Sequence, residues 1–176
     1  MPDARRHASM ERRIIIRAAQ LAILLLMPAF SAKADEPAGS RDRATILSSE
    51  DSAGRAEQDR YGYSEAVLVD GTLYMSGVVV GLGPEGDTPE AAFDRAFRHI
   101  GSILDRAGMS WRDVVDITSY HTDLAGQIDL MAQVKSRYVT PRFPAWTAIE
   151  VPRLLPERGI AEIRIVARAM PPAQTR

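Results

Sequence analysis

One segment of this 176-residue sequence limits the possible folds more than any other. Thr88-Pro89-Glu90 offers a capping hydroxyl, a proline at the first helical position and an early acid, and Phe93, Ala96, Phe97, Ile100, Ile103, Leu104 and Ala107 then recur at helical spacing until Gly108. A helix with one apolar stripe needs a partner along that stripe, and the sequence around it reads mainly as strands. Residues 44–47 form a short first strand. Residues 64–70 alternate, Asp70-Gly71 makes a hairpin turn, and 72–80 returns. Residues 114–122 give a further strand, with Val115, Ile117 and Ser119 on one face and Thr118 and Tyr120 on the other. A second helix over 126–138 aligns Ile128, Met131, Val134 and Tyr138 before Pro141 and Pro144 break it. Residues 146–151 and 160–169 are strands separated by a loop with Pro152, Pro156 and Gly159. This order predicts an α/β (α+β) domain: a single sheet of about six strands with two helices on one face. The uncovered face calls for burial by oligomerisation.

The N-terminus reads differently. Arg12-Arg13, an apolar stretch peaking at 21–30, and Ala32 and Ala34 at A-x-A spacing describe a secretory signal cleaved near Ala34, hence a periplasmic or secreted protein. The alternative, a membrane anchor, needs about 20 predominantly apolar residues, and Arg17 and Gln20 interrupt this stretch. The expected organisation is 1–34 signal peptide, 35–43 flexible linker, 44–170 folded domain and 171–176 C-terminal tail. Cleavage removes six of 22 basic and two of 23 acidic residues, leaving 16 and 21, a net charge of −5. Such a domain, with Lys135 as its one lysine, repels phosphate backbones, so nucleic acid is not an expected partner. The absence of cysteine excludes thiol chemistry and Cys-ligated metals.

Several motifs invite a chemical reading. Gly81-Leu82-Gly83-Pro84-Glu85-Gly86 is a literal G-x-G-x-x-G, but Pro84 deletes a backbone N–H from any phosphate cradle and the helix cap comes only at Thr88, so it reads as a hairpin-to-helix loop. No histidine pair has ligand spacing, and no metal is expected. His121, beside Asp123, is either an oriented base or a solvated strand end. Glu162 lies within Ile160-Ala161-Glu162-Ile163-Arg164-Ile165-Val166, on the same side as Arg164. It is either on an outer sheet face or held at a cleft to activate water.

Tyr63-Ser64-Glu65-Ala66-Val67, Ser76-Gly77, Thr122-Asp123-Leu124, Pro144-Ala145, Ile149-Glu150-Val151 with Arg153-Leu154, and Ala161-Glu162-Ile163, in this order, resemble the Rid family, the YjgF-type proteins once called L-PSP endoribonucleases. The resemblance runs over 44–169. It implies a chorismate-mutase-like fold, a homotrimer with a central barrel, small-molecule clefts at the subunit interfaces, and cofactor-independent hydrolysis of reactive imines and enamines. It also implies that Glu162 holds the attacking water, that Tyr63, Ser76 and Gly77 line the cleft, and that Met131, Trp146 and Arg164 stand where substrate-contacting residues are found.

Three of these positions depart from the family's pattern. Trp146 replaces an arginine that clamps the substrate carboxylate, Met131 replaces an asparagine, and Arg164 replaces an acid. Indole offers one donor and no charge, so it cannot imitate a bidentate guanidinium. Two functions follow as expectations. One is an imine or enamine deaminase with a non-standard substrate preference, Arg164 supplying charge near Glu162. The other is a catalytically silent trimeric binding protein with a small apolar ligand against Trp146 and Met131.

Overall fold

The computed structural model describes residues 39–169. The expected signal peptide and the tail at 171–176 lie outside the described residues. Of the expected linker, Ser40–Arg43 forms a 3-10 turn. Seven strands follow among the described residues: β1 (Thr45–Leu47), β2 (Ala66–Val69), β3 (Thr72–Met75), β4 (Val78–Gly81), β5 (Val114–His121), β6 (Ala145–Glu150) and β7 (Gly159–Arg168). Three helices accompany them: α1 (Ser52–Tyr61), α2 (Pro89–Arg106) and α3 (Leu124–Lys135). The sheet order is β1-β2-β3-β7-β5-β6, and β4 also pairs with β7. All pairings are antiparallel except β5 with β6, which α3 connects in parallel.

The capped helix forms as its sequence dictates. The Thr88 hydroxyl accepts from the Ala91 N–H, and the α2 stripe from Ala92 to Leu104 is buried. Each Phe, Ile or Leu fully buried there contributes about 1.5–3 kcal/mol. On β7, Ala161, Ile163, Ile165 and Ala167 are fully buried, while the alternate residues are only partly covered. One face of the sheet thus joins the core that α2 and α3 complete. The opposite face leaves Ile46, Tyr74, Val115 and Ile149 more than two-fifths exposed.

The structure corrects the sequence reading in three places. The polar stretch after β1 is helix α1, capped by Asp51, whose carboxylate accepts from the Gly54 N–H; its burial is confined to Gln58, so no apolar stripe announced it. The strand expected over 72–80 is two strands, broken at Ser76 and Gly77, which raises the count from six to seven. A bulge between Val114 and Asp116 buries Val114 and exposes Val115, reversing the expected phase at the start of β5.

Candidate active site

The break between β3 and β4 builds the site. β5 occupies one edge of β7; along the other edge, β3 pairs with residues 166–168 and β4 with residues 159–163. Between the two, Ser76 and Gly77 step away from the ladder. The Ser76 N–H donates to the Glu65 carbonyl at 2.9 Å and its hydroxyl to the Ser64 carbonyl at 2.7 Å, tying the step to the chain that enters β2.

Glu162 stands at this notch, in register with Val79 of β4 and Tyr120 of β5. A Cβ on residue 77 would come within 1.8 Å of its Oε1, so only glycine leaves room for the carboxylate. Glu162 is half-buried, and desolvation pushes its carboxyl above the usual carboxylate range. No hydrogen bond from the described residues reaches it, so its oxygens are available to a water or a ligand.

A cleft of about 670 Å³ opens here, bordered by Glu162, Ser76, Gly77, Tyr63, residues of α1, His99 of α2, and Leu155 and Pro156 of the loop before β7. Tyr63 follows Gly62, which closes α1 with φ +68°. Burial first, then the Glu57 and Glu65 carboxylates, raise its phenol above the ordinary value, so it remains a protonated donor. Glu65 is the buried anchor of this wall. Its carboxylate meets Arg106 Nη1 at 2.6 Å and His99 Nε2 at 3.1 Å, and Arg106 also donates to the Ser48 carbonyl. Neither Glu65 nor His99 stood out as functional in the sequence. They are 34 positions apart, and the first lay inside a motif read only for its resemblance.

Tyr63, Ser76, Gly77 and Glu162 are therefore together, whereas the other three candidate residues do not line this cleft. Met131 is 0% exposed in the core, so it lines no accessible pocket. Trp146 pairs with Ile117, a core-facing residue of β5, which puts it on the opposite face of the sheet from Glu162. Its Nε1 donates to the Ser119 hydroxyl at 3.0 Å, and Lys135 Nζ lies 3.5 Å from the ring centroid. The cation on the indole is thus internal, and burial lowers the Lys135 ammonium from its ordinary value. Arg164 shares Glu162's face, in register with Thr118, but does not line the cleft.

His121 is neither solvated nor oriented by Asp123. It is 0% exposed, with Nδ1 3.0 Å from Gln127 Oε1 and Nε2 2.9 Å from the Ser119 hydroxyl, while Asp123 caps α3 at the Gly126 N–H. Desolvation lowers the imidazole's affinity for a proton, with Gln127 opposing. In the glycine-rich loop, the Gly83 N–H donates to Asp87, which Arg95 grips with both terminal nitrogens. That carboxyl is held well below the usual range by the guanidinium, and the loop's N–H is already occupied. Among the described residues, no cluster of three or more His, Asp or Glu could hold a metal ion.

Comparison with known proteins adds the context of relatives. The endoribonuclease L-PSP family model matches residues 55–169. The RutC family protein YjgH of Escherichia coli is 36% identical over 112 residues, which cover 60% of this chain and 82% of the relative. The human 2-iminobutanoate/2-iminopropanoate deaminase is 34% identical over 111 residues, covering 60% and 78%. A solved structure of a YjgF-family protein from Mycobacterium tuberculosis superposes with a TM-score of 0.62 at 25% identity, over 72% of this chain and 99% of that one.

Proposed function

The chain belongs to the endoribonuclease L-PSP family, and from that premise we propose that it is a cofactor-independent hydrolytic deaminase of reactive imines and enamines with a non-standard substrate preference. The observation that carries this reading is the Glu162 carboxylate: half-buried, unpartnered among the described residues, and given its space by Gly77. In this mechanism its oxygens hold a water, take its proton as oxygen bonds to the imine carbon, and later return that proton to the leaving nitrogen. Tyr63 donates to the polar end of the substrate, and Ser76 and Gly77 shape the wall behind the reacting carbon. A relative named as a 2-iminobutanoate/2-iminopropanoate deaminase supports the reaction class.

Trp146 sits on the other face of the sheet, packed against the core, so the face that carries Glu162 is the one left uncovered for a neighbouring copy. We accordingly propose a homotrimer with the cleft completed at the subunit interface. Its uncovered sheet face, carrying Ile46, Tyr74, Val115 and Ile149, supplies apolar surface for assembly. Light scattering that gives one chain per particle would count against it. Export, to the periplasm or out of the cell, is part of the same proposal, and cell fractionation with N-terminal sequencing checks it. The silent binding reading is less supported, because Met131 is sealed in the core and Lys135 already covers one face of the indole.

The decisive experiment measures ammonia release from imines generated in situ, with and without a carboxylate, by the wild type and Glu162→Gln. Release that depends on Glu162 and favours carboxylate-free imines is the expected result. Equal rates for the two proteins would overturn the assignment.

A further inference from the structure

The cleft holds a second proton-transfer group that the assigned chemistry leaves unused. Glu65 has two partners: Arg106, a permanent cation, and His99, whose imidazole side chain is 51% exposed against 10% for the Glu65 carboxylate. A carboxylate already accepting from a guanidinium can only accept, so Nε2 of His99 carries its hydrogen toward Glu65. In the neutral ring Nδ1 is then the bare acceptor. The buried carboxylate thus fixes the tautomer and orientation of an imidazole on a wall of the cleft that also holds Glu162.

We propose that His99 is the general base that takes the hydroxyl proton of the carbinolamine as its carbon–nitrogen bond breaks, with Glu65 as its positioning residue. This rests on the deaminase reading. In the first step water attacks the iminium carbon; the C–O bond forms, the C=N π pair moves to nitrogen, and Glu162 takes the water's proton. In the second, Glu162 returns that proton to the amino nitrogen, Nδ1 of His99 removes the hydroxyl proton, C=O forms, C–N breaks, and ammonia leaves. The sum is iminium and water giving carbonyl, ammonia and one proton, which His99 then releases to solvent. Dividing the work suits the two groups. Glu162 must end the second step as a carboxylate, so it cannot also collect the hydroxyl proton, whereas Glu65 compensates the positive charge that appears on His99.

Other titratable groups face the same space. Asp51 is committed to capping α1, its carboxyl lowered chiefly by the Gly54 N–H, and Tyr63 is held protonated. Glu57 lies on the α1 wall, where its charge acts on Tyr63. Arg106 reaches the cleft chemistry only through Glu65.

The test is the pH profile of kcat and KM for ammonia release by the full chain, compared among wild type, His99→Gln, His99→Ala, Glu65→Gln and Glu162→Gln. His99→Gln should lower kcat about 100-fold with little change in KM and remove the limb that rises toward neutral pH. Added imidazole should restore part of the His99→Ala rate, which a packing role would not allow. Glu65→Gln should lower kcat less than His99→Gln does, with KM little changed. An unchanged profile in His99→Gln beside an inactive Glu162→Gln would overturn the role of His99 alone. An inactive wild type, or an active Glu162→Gln, would overturn the deaminase reading and this inference with it.

Discussion

His99 and His121 lie on the same scaffold in opposite settings. His99 projects half-exposed from α2 into the cleft and shares a buried carboxylate with an arginine. His121 ends β5 beneath α3, fully covered near Phe93, with only neutral partners in Gln127 and Ser119. The Gln127 carbonyl can only accept, so Nδ1 of His121 donates to it; Nε2 accepts from Ser119, whose oxygen in turn accepts from Trp146. One ring is left with a vacant lone pair in an open site, and the other has every polar atom satisfied in a closed one. The side chain is the same, but its partners decide whether it exchanges protons or holds the fold together.

Mutations can break this contrast, beginning with the largest effect. Glu162→Gln should reduce ammonia release about 100- to 10,000-fold while leaving the circular dichroism spectrum unchanged. His121→Ala should cost about 2–4 kcal/mol in urea denaturation, since it opens a cavity and strands Gln127 and Ser119; His99→Ala should stay within about 0.5 kcal/mol of wild type. Similar stability losses for both would erase the distinction. Gly77→Ala should lower kcat at least about 10-fold, because the new methyl must displace the carboxylate from its place. Trp146→Phe should cost about 1 kcal/mol, from the lost Nε1 bond and the weaker cation contact, without moving kcat on a per-protomer basis.

The smallest effect is the pH dependence of stability, where the two regions act with opposite sign. Burial lowers the His121 pKa in the folded state, so the unfolded chain binds more protons. Its contribution is therefore present above about 6.5 and is lost as pH falls below it. Burial raises the Glu162 pKa, so the folded chain retains a proton that the unfolded chain releases, and stability falls as pH rises from 4.5 through the folded value. Glu162→Gln should accordingly melt a few degrees above wild type at neutral pH and match it near pH 4. No difference at any pH would mean that burial of the carboxylate carries no energetic cost.

How much of this the sequence disclosed depended on the range of the forces involved. The α2 stripe and the Asp70-Gly71 turn were legible because capping, periodicity and turn chemistry act over a few residues. Helix α1 was not, since its stability rests on Asp51 and on Gln58 accepting from the Ser49 N–H rather than on an apolar face. The break at Ser76 was hidden in an unbroken β-like run, because what ties it off the ladder is the pair of carbonyls at Ser64 and Glu65, and what keeps its neighbour a glycine is Glu162, 85 positions beyond Gly77. The resemblance grouped Tyr63, Ser76, Gly77 and Glu162, which do meet. It could not tell that Trp146 faces the other way or that Met131 is sealed, because sheet face and burial are properties of the assembled chain.

The notch beside β7 has an evolutionary consequence. In many enzymes the reactive group sits on a loop and drifts with it, but here the carboxylate belongs to a central strand and its clearance belongs to the backbone opposite. Neither can be moved by insertion or deletion without rewriting the strand pairing. The remaining walls, α1 and the loop bearing Leu155 and Pro156, are free of that constraint. Those walls can therefore vary in sequence and length while the carboxylate and its clearance stay where the strand pairing puts them.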